Sequence, residues 1–310
     1  MDRHPLPLPS GGRPVLVWGN CQAAPTADLL RAPLAAAGCE IVDVPPVFLA
    51  DADDVQRVRE LLADAAALVS QPIRDEYATP GCGTRQLAAL LPADARLVTF
   101  PVAFDTRAFP YQVNAHDGDG HRVTAPMTDY HDLRILDAAA RGWSVDQTVD
   151  RWPQPSAEAV LRTTAASRAE LRRREHDIDV PVSDLLDELG PDALFTITHP
   201  TNALLAAQAR RILAALGLPD GPDAFAVPDR EYLGERRAPL EPAVAAALDW
   251  PADPDRAEWI FRGERLPLRD VVAAHLERYA AHPDVVADSI RRHADRRALI
   301  GLPTPDRPTA

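Results

Sequence analysis

The chain has 310 residues, of which 46% are hydrophobic and 25% charged, with a formal net charge of −13 at pH 7. That is the balance of a globular protein able to bury a sizeable core, and the surplus of carboxylates argues against nonspecific binding to nucleic acid, because it cannot displace counterions from phosphates. All 33 basic residues are Arg, which removes lysine Schiff bases, lysine general bases and Walker-type phosphate loops from consideration.

In chain order, Val15 to Gly19 is a short apolar run ending in Gly, read as a first strand; Thr26 then caps a helix from Ala27 to Ala37 that stops at Gly38. "CEIVDV" reads as a second strand, Asp51 to Ala65 as a helix with acidic residues in its first turn, and "AALVS" as a third strand. After a loop rich in Pro and Gly, "TRQLAALL" is a short helix and "ARLVTF" a fourth strand. "ALFTIT", residues 193 to 198, is the fifth, followed by the helix "NALLAAQARRILAALG". Nearly continuous apolar strands alternating with helices predict an α/β fold, doubly wound, with a mainly parallel sheet of about five strands.

Residues 127–190 interrupt this alternation with helical segments and no strand pattern, and so does the last part of the chain, where "PLRDVVAAHLERYAA" and "PDVVADSIRRHADRRALIG" stand out. The expected organisation is an α/β catalytic domain at 13–215 carrying a helical insertion at about 127–190, and a helical cap at 216–301 packed on the same domain. Residues 1–12 and 302–310 are expected to be disordered.

In an open parallel sheet, ligands bind beyond the carboxyl ends of the strands. There the sequence places "NCQ" (Asn20, Cys21, Gln22), "SQPIRDEY" (Ser70, Gln71, Arg74), "PVAFDTRAFP" (Phe104, Asp105, Arg107) and "HPTN" (His199, Asn202), all predicted on one rim. Cys21 sits between a strand and a helix, where backbone N–H groups favour negative charge and thus thiolate over thiol. The same N–H groups, with the amide of Asn20 or Gln22, can stabilise an oxyanion formed when sulfur attacks a carbonyl. A nucleophile needs a base. His199 is the best-placed candidate, with Asn202 to orient it, and His131 in "TDYHDLRIL" competes; Asp129 there reads as a helix cap and His131 as a first-turn residue. The plainer reading makes Cys21 a small buried apolar side chain, although flanking amides are poor residues to bury without partners. Arg74, Arg85 and Arg107 suit phosphate contacts, each also reading as a solvated surface residue. Cys82, between glycines, fits a phosphate approach or a plain loop, and Cys39 is most simply core.

None of the three cysteines forms a CxxC pair, so neither disulfides nor a metal site is expected. No apolar run approaches the roughly 18 residues needed to cross a bilayer, and "MDRHPLPLPSGGRP" lacks the apolar stretch of a signal peptide. A cytoplasmic address, without a membrane span, is expected, with a homo-oligomer allowed.

The combination "VLVWGNCQ", "SQPIRDEY", "TDYHDL" and "THPTNALL" resembles the WcbI-type family of capsular polysaccharide acetyltransferases, from the first strand to about residue 215. GNCQ after an apolar strand is its most specific element. A strand-one nucleophile with a distant histidine also resembles the layout of SGNH esterases, with Cys for Ser; Thr196 stands where their acidic residue would lie, three before His199. The resemblance implies coenzyme A binding and acyl transfer, most simply of acetyl, to a sugar or related hydroxyl. It makes Asn20, Cys21 and Gln22 the centre of the site and His199 their partner; among the rim residues, Gln71, Arg74, Arg107 and Asn202 are the candidates for holding the cofactor. A cysteine-dependent thioesterase, esterase or amidase, or a noncatalytic coenzyme A or nucleotide-binding module, would use the same features.

Overall fold

The computed structural model describes Leu8 and residues 11–302. The chain divides into two compact units of interleaved segments: one runs to Ala103 and adds Arg172–Leu189 and Pro200–Leu233, and the other holds Phe104–Leu171, Gly190–His199 and the chain from Gly234 onward. The expected partition at 13–215 and 216–301 thus gives way to segments that return to a unit after leaving it. Of the ends expected to be disordered, Leu8 and Leu302 are buried, and the remainder beyond residues 11–302 lies outside the described residues.

The first unit contains strands β1 (Arg13–Trp18), β2 (Cys39–Val42), β3 (Ala67–Ser70) and β4 (Arg96–Thr99), alternating with helices α1 (Ala23–Ala36), α2 (Ala52–Leu62) and α3 (Thr84–Ala88). The strands form one sheet in the order β2-β1-β3-β4, parallel throughout, with Val15 opposite both Ile41 and Ala67. Successive side chains of a strand leave opposite faces, so β1 feeds two cores. Val15 and Val17 join Leu30 and Leu34 of α1 and Leu205 and Ile212 of the helix Asn202–Ala215. Leu16 and Trp18 join Val55, Val58 and Leu62 of α2 and Leu87 of α3. Two covered faces make the sheet doubly wound. Strand order reverses between β1 and β3, where such sheets bind ligands.

Two expectations need correction here. The sheet has four strands, not five. Of the predicted fifth strand only Leu194–Thr196 is extended, and it pairs in a separate two-stranded ladder. The Ile197 N–H donates to the Gln112 side chain at 3.1 Å and its carbonyl accepts from the Asp105 N–H at 3.0 Å, so its polar groups are satisfied without the sheet. Second, α1 begins at Ala23, four residues before the expected start. Pro25 is tolerated because first-turn N–H groups have no intrahelical acceptor. Thr26 lies inside the helix, its hydroxyl donating to the Gln22 carbonyl at 2.8 Å.

In the second unit the expected helices appear as Leu133–Ala140, Val145–Asp150, Leu268–Ala281, Pro283–Arg292 and Ala294–Leu299, with most of Ala157–Arg174. Strand structure is present too, against expectation: Arg236–Arg237, Trp259–Phe261 and Glu264–Leu266 form an antiparallel sheet, and Gln112–Val113 pairs with His131–Asp132. Arg262 and Gly263, with φ of 52° and 84°, make the two-residue hairpin turn whose twist matches the strands it joins.

Candidate active site

β1 runs out at Trp18, and residues 19–22 form a turn that leads into α1. Three amide side chains pin it. Asn20 N–H donates to Gln71 Oε1 at 2.8 Å, Gln22 N–H to Asn20 Oδ1 at 2.9 Å, and Gln71 Nε2 to Gln22 Oε1 at 3.3 Å. Gln22 also exchanges a pair of bonds with the Ala103 backbone, at 3.2 and 3.0 Å. Gln22 and Gln71 are fully buried, and these partners meet the cost of burying them. Gly19 is required by this packing: a Cβ there would lie 2.6 Å from Gln71 Oε1. The groups expected after β1 and β3 therefore meet at the switch point, with Gln71 bracing the turn through both ends of its amide.

Cys21 sits in this turn, one residue before the N-cap of the 14-residue α1, and is partly exposed. Cys39 and Cys82 are buried, and burial pushes both thiols up, which keeps them protonated and weak as nucleophiles. Cys39 lies in the core, as expected, and Cys82 packs against Trp18, whose indole N–H donates to its carbonyl at 2.9 Å.

In the second unit His199 is 93% buried by its 7% relative exposure. Its Nε2 lies 3.7 Å from Asp129 Oδ2, and Tyr130 meets the ring edge-on at 5.7 Å between centroids. Nδ1 is buried with no hydrogen-bond partner among the described residues. Burial, against the pull of Asp129, brings the imidazole down to about 4, so it is neutral at pH 7 and able to accept a proton. Asp129 is no helix cap, contrary to expectation: Asp132 caps Leu133–Ala140, its side chain accepting from Arg134 N–H. The available signal was "PMTD", a proline-led turn sequence that competes with a helix start.

The remaining candidates have other duties. His131 is fully buried in the extended pair that precedes the helix, with Nδ1 accepting from Tyr279 Oη at 2.6 Å and Nε2 donating to the Val123 carbonyl at 2.9 Å. Both ring nitrogens are thereby used, which leaves none for substrate. Arg107 is buried in an ion pair with Asp105. Asn202 donates to the Pro228 and Arg230 carbonyls at 2.9 and 3.0 Å and accepts from Tyr232 N–H at 3.0 Å, so its amide closes a loop in the first unit. Arg74 is exposed after β3 and Arg85, also exposed, pairs with Asp75. Because the strand before His199 lies outside the parallel sheet, the sheet itself gives no reason to place "HPTN" on the predicted rim. Among the described residues, one group of three potential metal ligands, Asp117, Asp119 and His121, lies on a largely exposed loop and includes none of these residues.

A family model described as the polysaccharide biosynthesis enzyme WcbI matches residues 14–221. The chain belongs to the WcbI family. The match covers the amide-pinned turn at residues 19–22 as well as His199. A solved structure of WcbI, described as a polysaccharide biosynthesis enzyme and as the native protein without a disulfide between coenzyme A and one of its cysteines, has the same fold. It aligns with a TM-score of 0.79 and 19% identity, covering 94% of this chain and 98% of that one. No curated protein matches the sequence. Among the described residues no helix is long and apolar enough to cross a membrane.

Proposed function

We propose that this WcbI-family chain is an acyltransferase that moves an acyl group, most simply acetyl, from coenzyme A to a saccharide hydroxyl, with Cys21 as nucleophile and His199 as base. The observation that carries this reading is the placement of Cys21: the one partly exposed cysteine of the three, on a turn fixed by buried amides, at the N-terminus of a long helix. A description of the structural neighbour that speaks of coenzyme A and a cysteine supports the choice of donor, since sulfur-to-sulfur acyl exchange brings those two atoms together.

The chemistry has two balanced steps. His199 takes the thiol proton; Cys21 Sγ attacks the thioester carbonyl carbon, the carbon–sulfur bond to coenzyme A breaks, and the proton leaves with the coenzyme A thiolate. One thioester replaces another, so the acyl-enzyme is close in energy to its donor. The acceptor hydroxyl then gives its proton to His199 while its oxygen attacks the acyl carbon, and Sγ departs, to be reprotonated. The positive N-terminal end of α1 would favour the oxyanion in both steps, and exposed Arg74 is the cation suited to coenzyme A phosphates. Acyl-CoA as donor is consistent with a cytoplasmic site of action.

The test is product analysis with acetyl-CoA and a panel of saccharide acceptors. Acetylated saccharide in excess of free acetate, abolished in Cys21→Ala, supports the transferase. Free acetate alone would make the chain a hydrolase, and full transfer by Cys21→Ala would remove the cysteine from the mechanism.

A further inference from the structure

His199 has one nitrogen facing a carboxylate and another facing no partner, and both facts need a cause. The carboxylate belongs to Asp129, whose backbone is in the left-handed region with φ of 70°, two residues after Met127 at 62°. Such conformations are disfavoured for side chains other than glycine, least so for Asp and Asn, and persist only where surroundings impose them. Here the surroundings do. Ala125 N–H donates to the Asp129 carbonyl at 3.3 Å. The Thr128 hydroxyl donates to the Tyr130 carbonyl at 2.8 Å, and His275 Nε2 lies 3.0 Å from that hydroxyl and 3.1 Å from the Pro126 carbonyl. His131 holds the Val123 carbonyl, so two buried histidines brace the segment. Tyr130 contributes its ring edge to His199 and its hydroxyl to Thr198, the residue before His199.

We infer that Asp129 is the positioning residue of His199: its carboxylate keeps the imidazole proton on Nε2, so that the Nδ1 lone pair faces the group whose proton is to be moved. The inference rests on the reading of His199 as base. It supplies the acidic member that Thr196, at the position where an esterase layout would place it, cannot provide. Histidine tautomers are set by the partner of the other nitrogen. A carboxylate accepts only, and at 3.7 Å, a charge contact longer than a hydrogen bond, its field favours the hydrogen on the nitrogen that faces it. The buried, unpartnered Nδ1 is then an acceptor whose hydrogen bond is completed by a thiol or a substrate hydroxyl. The charged groups acting on the ring are Asp129 and Glu235, which favour its protonation, and Arg236 and Arg122, which oppose it along with burial. Removing the Asp129 charge must therefore make the ring harder to protonate.

The test is imidazole nitrogen NMR on the full chain, with the His199 signals assigned by their loss in His199→Gln. Wild type is expected to show the Nε2–H tautomer, titrating well below the ordinary 6.5. Asp129→Asn tolerates the left-handed backbone, and should titrate lower still, show mixed tautomers, and lower kcat on the order of 100-fold with little change in the KM for acyl-CoA. Asp129→Gly, which relieves the backbone and lacks the carboxylate, should behave like Asp129→Asn. An Nδ1–H tautomer in wild type, or an unchanged titration in Asp129→Asn, overturns the inference; the wild-type measurement decides even if the variants fail to fold. Full activity of His199→Gln alongside the expected titrations would instead refute His199 as base and leave its pairing with Asp129 intact.

Discussion

At the scale of single residues, the turn around Cys21 is specified by what its neighbours cannot do without. Gln71→Ala takes the acceptor from the Asn20 N–H and one of two donors from Gln22 Oε1, and leaving a polar group unmet away from water costs about 1–3 kcal/mol. Urea unfolding should show that loss, with acylation by acetyl-CoA slowed; a variant as stable and reactive as wild type would mean that the amides do not brace the turn. Gly19→Ala tests the same packing from the other side. Its Cβ would meet Gln71 Oε1 at 2.6 Å, and displacing that side chain should cost about 1–3 kcal/mol, the range for overpacking. The sequence made Asn20, Cys21 and Gln22 legible because two amides beside a cysteine at a strand end are unusual company. It also offered Gln71, but as a cofactor contact; that its amide would be spent on bracing the turn depends on β1 and β3 being adjacent, which no local pattern states. Asp129 was hidden for a similar reason, since its partner lies 70 residues away in sequence (129 to 199).

Among elements, strong periodicity and capping made most helices readable. Asp51 and Ser144 both form capping boxes, with Asp54 and Gln147 respectively. The start of α1 was misplaced because Thr26 is a good cap by composition, while the true start depends on Pro25 being harmless in a first turn. Strands of two or three residues were missed because alternation cannot show in so short a run. "WIFRGERL" did carry a hairpin signal, apolar residues on either side of a two-residue turn containing Gly. The helix Leu133–Ala140 is anchored by its second residue. Arg134 is 95% buried by its 5% relative exposure, paired with Asp132 and Glu241, its guanidinium 3.9 and 3.8 Å from the centroids of Tyr111 and Trp152. Arg134→Ala would strand the buried Asp132 and the partly buried Glu241 carboxylates and forfeit both ring contacts, a loss of about 3–5 kcal/mol. A chemical denaturation midpoint equal to wild type would show that this network contributes nothing to folding.

For the whole molecule, the α/β class and the parallel sheet could be read from the order of apolar runs, whereas the interleaving of two units could not, because chain order does not encode which segments return. A global consequence of burial can be measured. His131, His199 and His275 are each pushed down to about 4, chiefly by burial. The unfolded chain, with ordinary imidazoles near 6.5, therefore binds more protons than the native state between those values. Stability rises with pH through this window and is lost as pH falls from about 6.5 towards 4, on the order of 2 kcal/mol per imidazole at pH 5. The urea midpoint should accordingly be level above pH 7 and clearly lower at pH 5; equal midpoints would show that these rings are not held neutral by the fold. Acylation of Cys21 can be read by peptide mapping with mass spectrometry after brief exposure to acetyl-CoA. One added acetyl group is expected, on the peptide containing Cys21, absent in Cys21→Ala and undiminished by replacing Cys39 or Cys82. Acetyl transfer that proceeds at the wild-type rate in Cys21→Ala, with no labelled cysteine in either protein, would contradict that expectation.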